Sequence, residues 1–134
     1  MRALAAGDQL PEWSLPLTPT TIVSTAIATR DWQDVHHDRD IAQAAGSKDI
    51  FMNILTSNGL VEKFVVDWAA KEMGHWDVEL KGIAIRLGAP AHPYDTLTFS
   101  GTVTEAADGI ATIAVVGRVA LGDHVTGTVK VVAP

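Results

Sequence analysis

The sequence contains no cysteine among its 134 residues. Disulfide bonds, thiolate nucleophiles and sulfur-ligated zinc are therefore excluded, and the absence agrees with a reducing compartment. Long apolar stretches are also missing, because no run approaches the ~18 consecutive apolar residues of a membrane span. The few apolar residues before Asp8 are too short a stretch for a signal peptide. We therefore expect a cytoplasmic protein that does not associate with membranes.

Basic residues are scarce, since 10 Lys and Arg stand against 16 Asp and Glu, for a formal net charge of -6. Binding to a phosphate backbone depends on clustered Lys and Arg, and here these residues are scattered. The composition therefore argues against nucleic acid as a partner.

The apolar pattern of the first half predicts an arm, a strand and a short helix. A hydrophobic content of 47% in a chain of this length predicts a single domain over residues 1–134. Residues 1–16 are predicted to form an N-terminal arm, because Pro11 and Pro16 oppose regular structure. Residues 20–29 are rich in Ile, Val and Thr and are predicted as the first strand. Asp38 is a suitable N-cap for a short helix that ends before Gly46.

The second half changes from a helical to an alternating pattern. Residues 53–71 have the length and the broad apolar surface of a largely covered helix. Four strands are predicted after it, at residues 78–87, 96–104, 110–121 and 124–132. Asp108-Gly109 and Gly122-Asp123 are the predicted turns between the last three. Together these elements predict an α+β hotdog fold, in which a curved antiparallel sheet of about five strands wraps round one long apolar helix.

An acidic residue and a histidine stand five positions apart where the predicted first strand gives way to polar residues. A carboxylate and an imidazole on one irregular loop can converge on a single water, and the pair could add water to a double bond or remove it. These residues are Asp31 and His36. Their spacing alone favours the simpler interpretation that both are ordinary loop residues.

The surroundings of this pair resemble the signature loop of MaoC-like (R)-specific enoyl-CoA hydratases, Asp-x-Asn-Pro-x-His-x-Asp followed by Ala and Gly. The matching residues are Asp31, His36, Asp38, Ala42 and Gly46. Gln33-Asp34 stands in place of Asn-Pro. Farther on, Met52-Asn53 stands in place of His-Gly in the family's Ile-x-His-Gly-Met-Leu, which begins its central helix.

Within that family the chain is most similar to one branch, the small subunit of the heteromeric hydratase that shortens steroid side chains. The stretches that carry this similarity include residues 22–26, 34–40, 46–56, 94–101 and 116–126. The resemblance implies an acyl-CoA thioester as substrate, with a steroid side chain as its acyl group. It also implies a second MaoC-like hotdog subunit as partner, in a heterodimer or heterotetramer. No cofactor is expected, because coenzyme A is part of the substrate.

The resemblance implies roles for several side chains. Asp31 and His36 would hold and activate one water, and which of them carries the proton stays open because a coupled pair titrates as a unit. Backbone N–H groups near Asn53 would meet the thioester oxygen, with the Asn53 amide as a possible extra contact. Plain helix capping is the alternative for Asn53.

Further substrate contacts are weaker hypotheses. Trp32 could line the acyl pocket, and Lys48, Arg86 or Arg118 could meet the phosphates of coenzyme A. Core or interface packing is the alternative for the tryptophan, and a solvated face is the alternative for the cations. A partner subunit could supply the phosphate contacts instead.

Other functions and sites follow less directly from the sequence. A non-catalytic hotdog partner of a sister subunit and an acyl-CoA thioesterase both fit the same fold. No metal site is predicted, because the adjacent residues of His36-His37-Asp38 tend to diverge. No serine nucleophile is predicted at Ser57, which lacks the Gly-x-Ser-x-Gly setting. His75, His92 and His124 fall in predicted surface connections.

Overall fold

The computed structural model describes residues 2–134, and Met1 of the predicted arm lies outside this range. The helices are α1 (Pro19–Ala28), α2 (Arg39–Ala44) and α3 (Ile54–Met73), with a short 3₁₀ turn at Asp34–His36. The strands are β1 (Gln9–Pro16), β2 (Leu80–Leu87), β3 (Thr96–Ala107), β4 (Ile110–Val119) and β5 (Gly122–Val132). They form one antiparallel sheet in the order β1-β3-β4-β5-β2. The predicted α+β hotdog architecture is confirmed.

The main core lies between α3 and the sheet. Phe64 of α3 stacks on Phe99 of β3 with ring centroids 5.6 Å apart, and Trp13 of β1 stacks on the same Phe99 at 5.5 Å. Gly101 allows this close approach, because a Cβ at that position would lie 3.2 Å from the Phe64 ring. Helix α3 is therefore held in place by large apolar side chains, as its sequence predicts.

The prediction of a strand over residues 20–29 was wrong, because α1 occupies this segment. The Thr18 side chain accepts a hydrogen bond from the Thr21 N–H at 3.0 Å and so caps the helix. Pro19 is the first helical residue, where its fixed φ suits a helix and its missing N–H costs nothing. Ile22 and Ala26 are buried one helical turn apart. The cap and this buried face outweigh the strand preference of the β-branched residues.

The prediction of an irregular arm over residues 1–16 was also wrong, because β1 pairs with β3 along the sheet edge. Pro11 lies where the pairing register shifts between Leu10 and Trp13, and Pro16 ends the strand. An edge strand tolerates proline at such positions because its outer N–H groups are not needed for pairing. This strand replaces the one wrongly predicted, so the sheet still has five.

The remaining boundaries are close to those predicted. The turn at Asp108-Gly109 is confirmed, with φ angles of 56° and 76° that suit a tight hairpin. The next turn lies two residues earlier than predicted, because Gly122 already pairs with Val119 at the start of β5. None of the helices within residues 2–134 is long and apolar enough to cross a membrane.

Replacing the cap residue tests the corrected assignment of α1. We expect Thr18→Ala to lower the free energy of unfolding by about 1 kcal/mol, because an N–H of the first turn loses its acceptor. Thr18→Ser should restore most of the loss. Thr20→Ala, at an exposed neighbouring position, is the control and should change stability by no more than about 0.5 kcal/mol. Urea unfolding measures all three, and equal effects at positions 18 and 20 would contradict the cap.

Candidate functional site

The turn that ends α1 places Asp31. The Asp31 N–H donates to the Ala26 carbonyl at 2.9 Å, and the Arg30 N–H donates to the Ile27 carbonyl at 2.9 Å. These two bonds form a Schellman motif, in which the residue after the cap is left-handed. Here that residue is Arg30, with φ at 57°, where glycine is usual. The loop that contains Asp31 therefore begins at the end of a helix. The prediction that it begins at the end of a strand was wrong.

The 3₁₀ turn that carries His36 packs against a small second core through Val35. Ile22, Ala42 and Ile50 are buried together, with Val35 packed against them. His36 Nδ1 lies 2.7 Å from the Phe51 carbonyl oxygen. A carbonyl can only accept, so Nδ1 carries a proton and Nε2 is left free for other contacts. The His36 ring also packs edge-on against Phe51, with centroids 5.0 Å apart.

The structure brings the two predicted acid/base residues together. His36 Nε2 and Asp31 Oδ2 are 3.4 Å apart, and the two side chains are only 7% and 18% exposed. This separation is longer than a good direct N–H···O bond, and it lets one water reach both atoms. The Asp31 carboxylate, in the turn after α1, and the His36 imidazole, in the 3₁₀ turn, are therefore close enough to contact the same water.

Asn53 connects the start of α3 to Asp31. Its side chain is buried, and its Nδ2 donates to Thr29 Oγ1 at 2.8 Å and to Asp31 Oδ2 at 3.1 Å. Its Oδ1 accepts from the Thr56 N–H at 3.2 Å and from the Thr56 hydroxyl. The predicted alternative role of Asn53 as the helix N-cap is confirmed.

Hydrogen bonding keeps Asp31 ionised. The Asn53 amide is the largest influence that holds the pKa of Asp31 below its usual range, and it outweighs the opposing effect of partial desolvation. The Gln33 N–H, 3.2 Å from Asp31 Oδ1, and the nearby His36 act in the same direction. Asp31 is therefore a carboxylate at neutral pH.

A cleft of about 310 Å³ opens beside this pair. Its lining combines polar side chains with apolar groups from two segments, residues 51–54 and 87–90: Asp31, Gln33, His36, Phe51, Met52, Ile54, Leu87, Gly88, Ala89, Pro90 and His124. Ile54, the first residue of α3, lines the cleft together with Met52 just before the helix, and the first N–H groups of a helix have no partner within it. A larger groove of about 450 Å³ between β1 and α3 is lined by the ion-paired Lys63 and Asp67 but by no histidine.

One wall of the cleft is held by His124, which the sequence wrongly placed at the surface. His124 is 2% exposed, and its Nδ1 donates to the Ala89 carbonyl at 2.8 Å. Its Nε2 then accepts from the Ser57 hydroxyl at 2.7 Å. Burial lowers the pKa of His124, although the bond to Ala89 opposes this shift. No local pattern marks His124, because it is covered by a loop more than thirty residues away in sequence.

The other predicted site residues lie outside the cleft lining. Trp32 is 64% exposed, and Lys48 is exposed on its loop. Arg86 lines a separate groove on β2 and β5, and Arg118 forms an ion pair with Glu12 at 3.3 Å. The surface prediction for His92 was wrong, because it is 5% exposed and its Nδ1 lies 3.1 Å from the Ile50 carbonyl oxygen.

The adjacent histidines diverge as predicted. His37 Nε2 lies 3.5 Å from Asp34 on the exposed side of the turn, whereas His36 faces Asp31. The polar residues of this loop therefore form two separate pairs. Asp31 and His36 are largely buried, whereas Asp34 and His37 are exposed.

Comparison with known proteins gives four matches. A family model described as "MaoC like domain" matches residues 4–126. The 3-oxo-4,17-pregnadiene-20-carboxyl-CoA hydratase beta subunit of Mycobacterium tuberculosis is 59% identical over 124 residues, which are 92% of each chain. The crystal structure of the ChsH1-ChsH2 complex from the same organism matches with a TM-score of 0.90 and 56% identity, over 96% of this chain and 98% of that chain. The (R)-hydratase from A. caviae has a TM-score of 0.81 at 18% identity over the full length of both chains, which is a likeness in fold alone.

The buried state of His124 predicts a pH dependence of stability. Because its pKa is lower in the folded than in the unfolded chain, the unfolded chain binds a proton first as the pH falls. The stabilisation is complete above the unfolded pKa of about 6.5 and is lost as the pH decreases toward the folded pKa.

We therefore expect His124→Gln to be less stable than the parent near neutral pH but to lose less stability between about pH 7 and about pH 5. Urea unfolding at both pH values measures the two slopes. His75→Gln, at an exposed histidine, is the control and should keep the parent slope. If stability changed with pH to the same extent in the parent and in His124→Gln, the pKa of His124 would not differ between the folded and the unfolded chain.

Proposed function

The chain belongs to the MaoC-like domain family, and on that premise we propose that it is a catalytic subunit of a 2-enoyl-CoA hydratase. Such an enzyme adds water across the C2=C3 double bond of an acyl-CoA thioester. The observation that carries the proposal is the convergence of His36 Nε2 and Asp31 Oδ2 at 3.4 Å on the edge of a cleft. A relative at 59% identity is named as a CoA hydratase subunit, which supports the same reaction class.

The pair is suited to orient and activate one water. Both Asp31 Oδ2 and the unprotonated His36 Nε2 accept hydrogen bonds, so a water between them gives each one of its hydrogens. Its lone pair is then free to attack C3. As the O–C3 bond forms, the water proton passes to His36 Nε2, and the Asp31 carboxylate stabilises the resulting imidazolium. The electrons of the double bond move toward the thioester oxygen, and the imidazolium proton goes to C2.

The start of α3 supplies the second function, which is stabilisation of the thioester oxygen. The unpaired N–H groups of the first turn and the positive end of the helix dipole meet there. Ile54, in that first turn, lines the cleft, whereas the Asn53 amide is fully engaged with protein groups. We therefore assign the oxygen contact to backbone N–H groups and not to the Asn53 side chain.

A steroid side-chain enoyl-CoA is the substrate that we propose, because the 59% identical relative is named for a pregnadiene carboxyl-CoA. Coenzyme A belongs to this substrate, so the proposed reaction needs no separate cofactor. The cleft lining within residues 2–134 contains no Lys or Arg for its phosphates. Two large apolar side chains close in sequence to the cleft residues are also exposed to solvent, Ile54 at 51% and Trp32 at 64%.

These features support a second subunit that completes the site. A MaoC-like hotdog partner could cover the exposed apolar side chains and supply the missing cations, in a heterodimer or heterotetramer. The ChsH1-ChsH2 structure is itself a complex, which supports this form of assembly.

Mutation of the pair tests the catalytic proposal. We expect Asp31→Ala and His36→Ala, each in the assembled complex, to reduce turnover of a 2-enoyl-CoA by about 10²- to 10⁴-fold, as for lost general acid/base catalysis. Asp34→Ala and His37→Ala are matched controls on the same loop and should retain activity, because their side chains pair away from the cleft. Full activity of folded Asp31→Ala and His36→Ala would refute the proposal.

Assembly and reaction type can be tested together. We expect the chain alone to hydrate a steroid enoyl-CoA more slowly than the complex co-purified from its host, because the cleft lining formed by residues 2–134 contains no Lys or Arg. A sister subunit without its own candidate acid/base residues should still support activity if the chemistry lies on this chain.

A thiol-trapping assay with a saturated acyl-CoA should detect no release of free coenzyme A, and rapid release would identify a thioesterase instead.

A further inference from the structure

The orientation of the Asn53 amide is fixed by its neighbours. The Thr56 N–H is only a donor, so the atom 3.2 Å from it must be Oδ1. Nδ2 then faces Thr29 Oγ1 and the Asp31 carboxylate. The flipped amide would place two donors against each other at Thr56 and two acceptors against each other at Asp31. The donor to Asp31 is therefore a consequence of the network.

We propose that Asn53 is a positioning residue for hydration, whose amide fixes the Asp31 carboxylate so that Oδ2 faces His36 Nε2. This inference rests on the proposed hydratase function and extends it to a residue that does not touch the substrate. Asn53 is 1% exposed, and both of its amide hydrogens and its oxygen are engaged within the protein.

The contact acts on the oxygen that shares the proposed water. Asp31 Oδ1 accepts from the Gln33 N–H at 3.2 Å, and Oδ2 accepts from Asn53 Nδ2 at 3.1 Å. With one oxygen held on each side, the carboxylate cannot rotate about its terminal bond without breaking both hydrogen bonds. The remaining lone pair of Oδ2 stays available on the side of His36, at 3.4 Å.

Helix capping alone does not account for this arrangement. A cap needs only the side-chain oxygen that accepts from Thr56, and Ser or Asp serves that purpose about as well as Asn. The Nδ2 group contributes nothing to the cap, yet it is buried and meets two acceptors. Capping and positioning can therefore be separated by substitution.

The experiment uses Asn53→Ser and Asn53→Asp in the assembled complex, because both keep a cap acceptor and lose the amide donor. Crotonyl-CoA, a short 2-enoyl-CoA, is the probe for kcat and KM, and ¹³C NMR of the carboxyl group follows the titration of Asp31. Thr18→Ala is the control, because it removes the cap of α1 and leaves the Asn53 contacts in place.

For Asn53→Ser we expect kcat to fall by about 10-fold, the size of a lost hydrogen bond to a charged group, with KM changed by no more than about twofold. The pKa of Asp31 should rise, because the hydrogen bond that lowers it is gone. Asn53→Asp should raise that pKa further, since it places a second carboxyl group beside Asp31. Thr18→Ala should lower the melting temperature without moving the pKa of Asp31.

Three outcomes would contradict the inference: an unchanged kcat in both folded Asn53 variants, an unchanged Asp31 pKa, or a loss confined to KM. These results differ from a failure of the proposed function, which would appear as full activity of Asp31→Ala and His36→Ala. If the function failed and the Asp31 pKa still rose in Asn53→Ser, the contact would be real but not catalytic, and the positioning role would be refuted.

Discussion

The three-residue segment before α3 is the part of the structure on which the site depends. The Phe51 carbonyl accepts from His36 at 2.7 Å, the Met52 N–H donates to the Ala91 carbonyl at 3.0 Å, and the Asn53 amide binds Asp31 at 3.1 Å. Consecutive residues thus bind the imidazole, the loop segment next to Pro90 of the cleft lining, and the carboxylate. Because α3 is itself fixed by the aromatic stacking on the sheet, the geometry of the pair is set by the main core.

Burial makes these contacts obligatory. A buried polar group without a partner costs about 1–3 kcal/mol, so the amide of Asn53 and the imidazoles of His36 and His124 are each driven to find acceptors or donors. Among residues 2–134, no buried side-chain nitrogen or oxygen lacks a hydrogen bond. The same requirement fixes the tautomer of His36, because Phe51 can only accept. The protonation pattern of the site thus follows from the polar groups that the fold buries.

The sequence predicted the overall architecture and the convergence of Asp31 and His36, but it did not predict how these two side chains are held. The alternating pattern of the last four strands and the apolar surface of α3 survive in the structure because they reflect burial on one face. The β-branched residues of the segment 20–29 favour a strand, but the cap at Thr18 and the proline that follows it start a helix there. The end of that helix was also obscured, since Arg30 adopts the left-handed conformation in which glycine is the usual signal. The contact of Asn53 with Asp31 and that of His124 with Ala89 could not be predicted, because each joins residues 22 or more positions apart.

Two departures from the family loop pattern have a common physical interpretation. The family's Asn-Pro pair would stiffen the loop between the carboxylate and the imidazole, because proline restricts its own φ and the conformation of the preceding residue. Gln33-Asp34 lacks that restriction. Asn53 stands where the pattern has glycine, which offers no side chain to hold Asp31. In this chain a side-chain hydrogen bond from Asn53, the N-cap of α3, supplies a restraint on Asp31 that the loop backbone no longer provides.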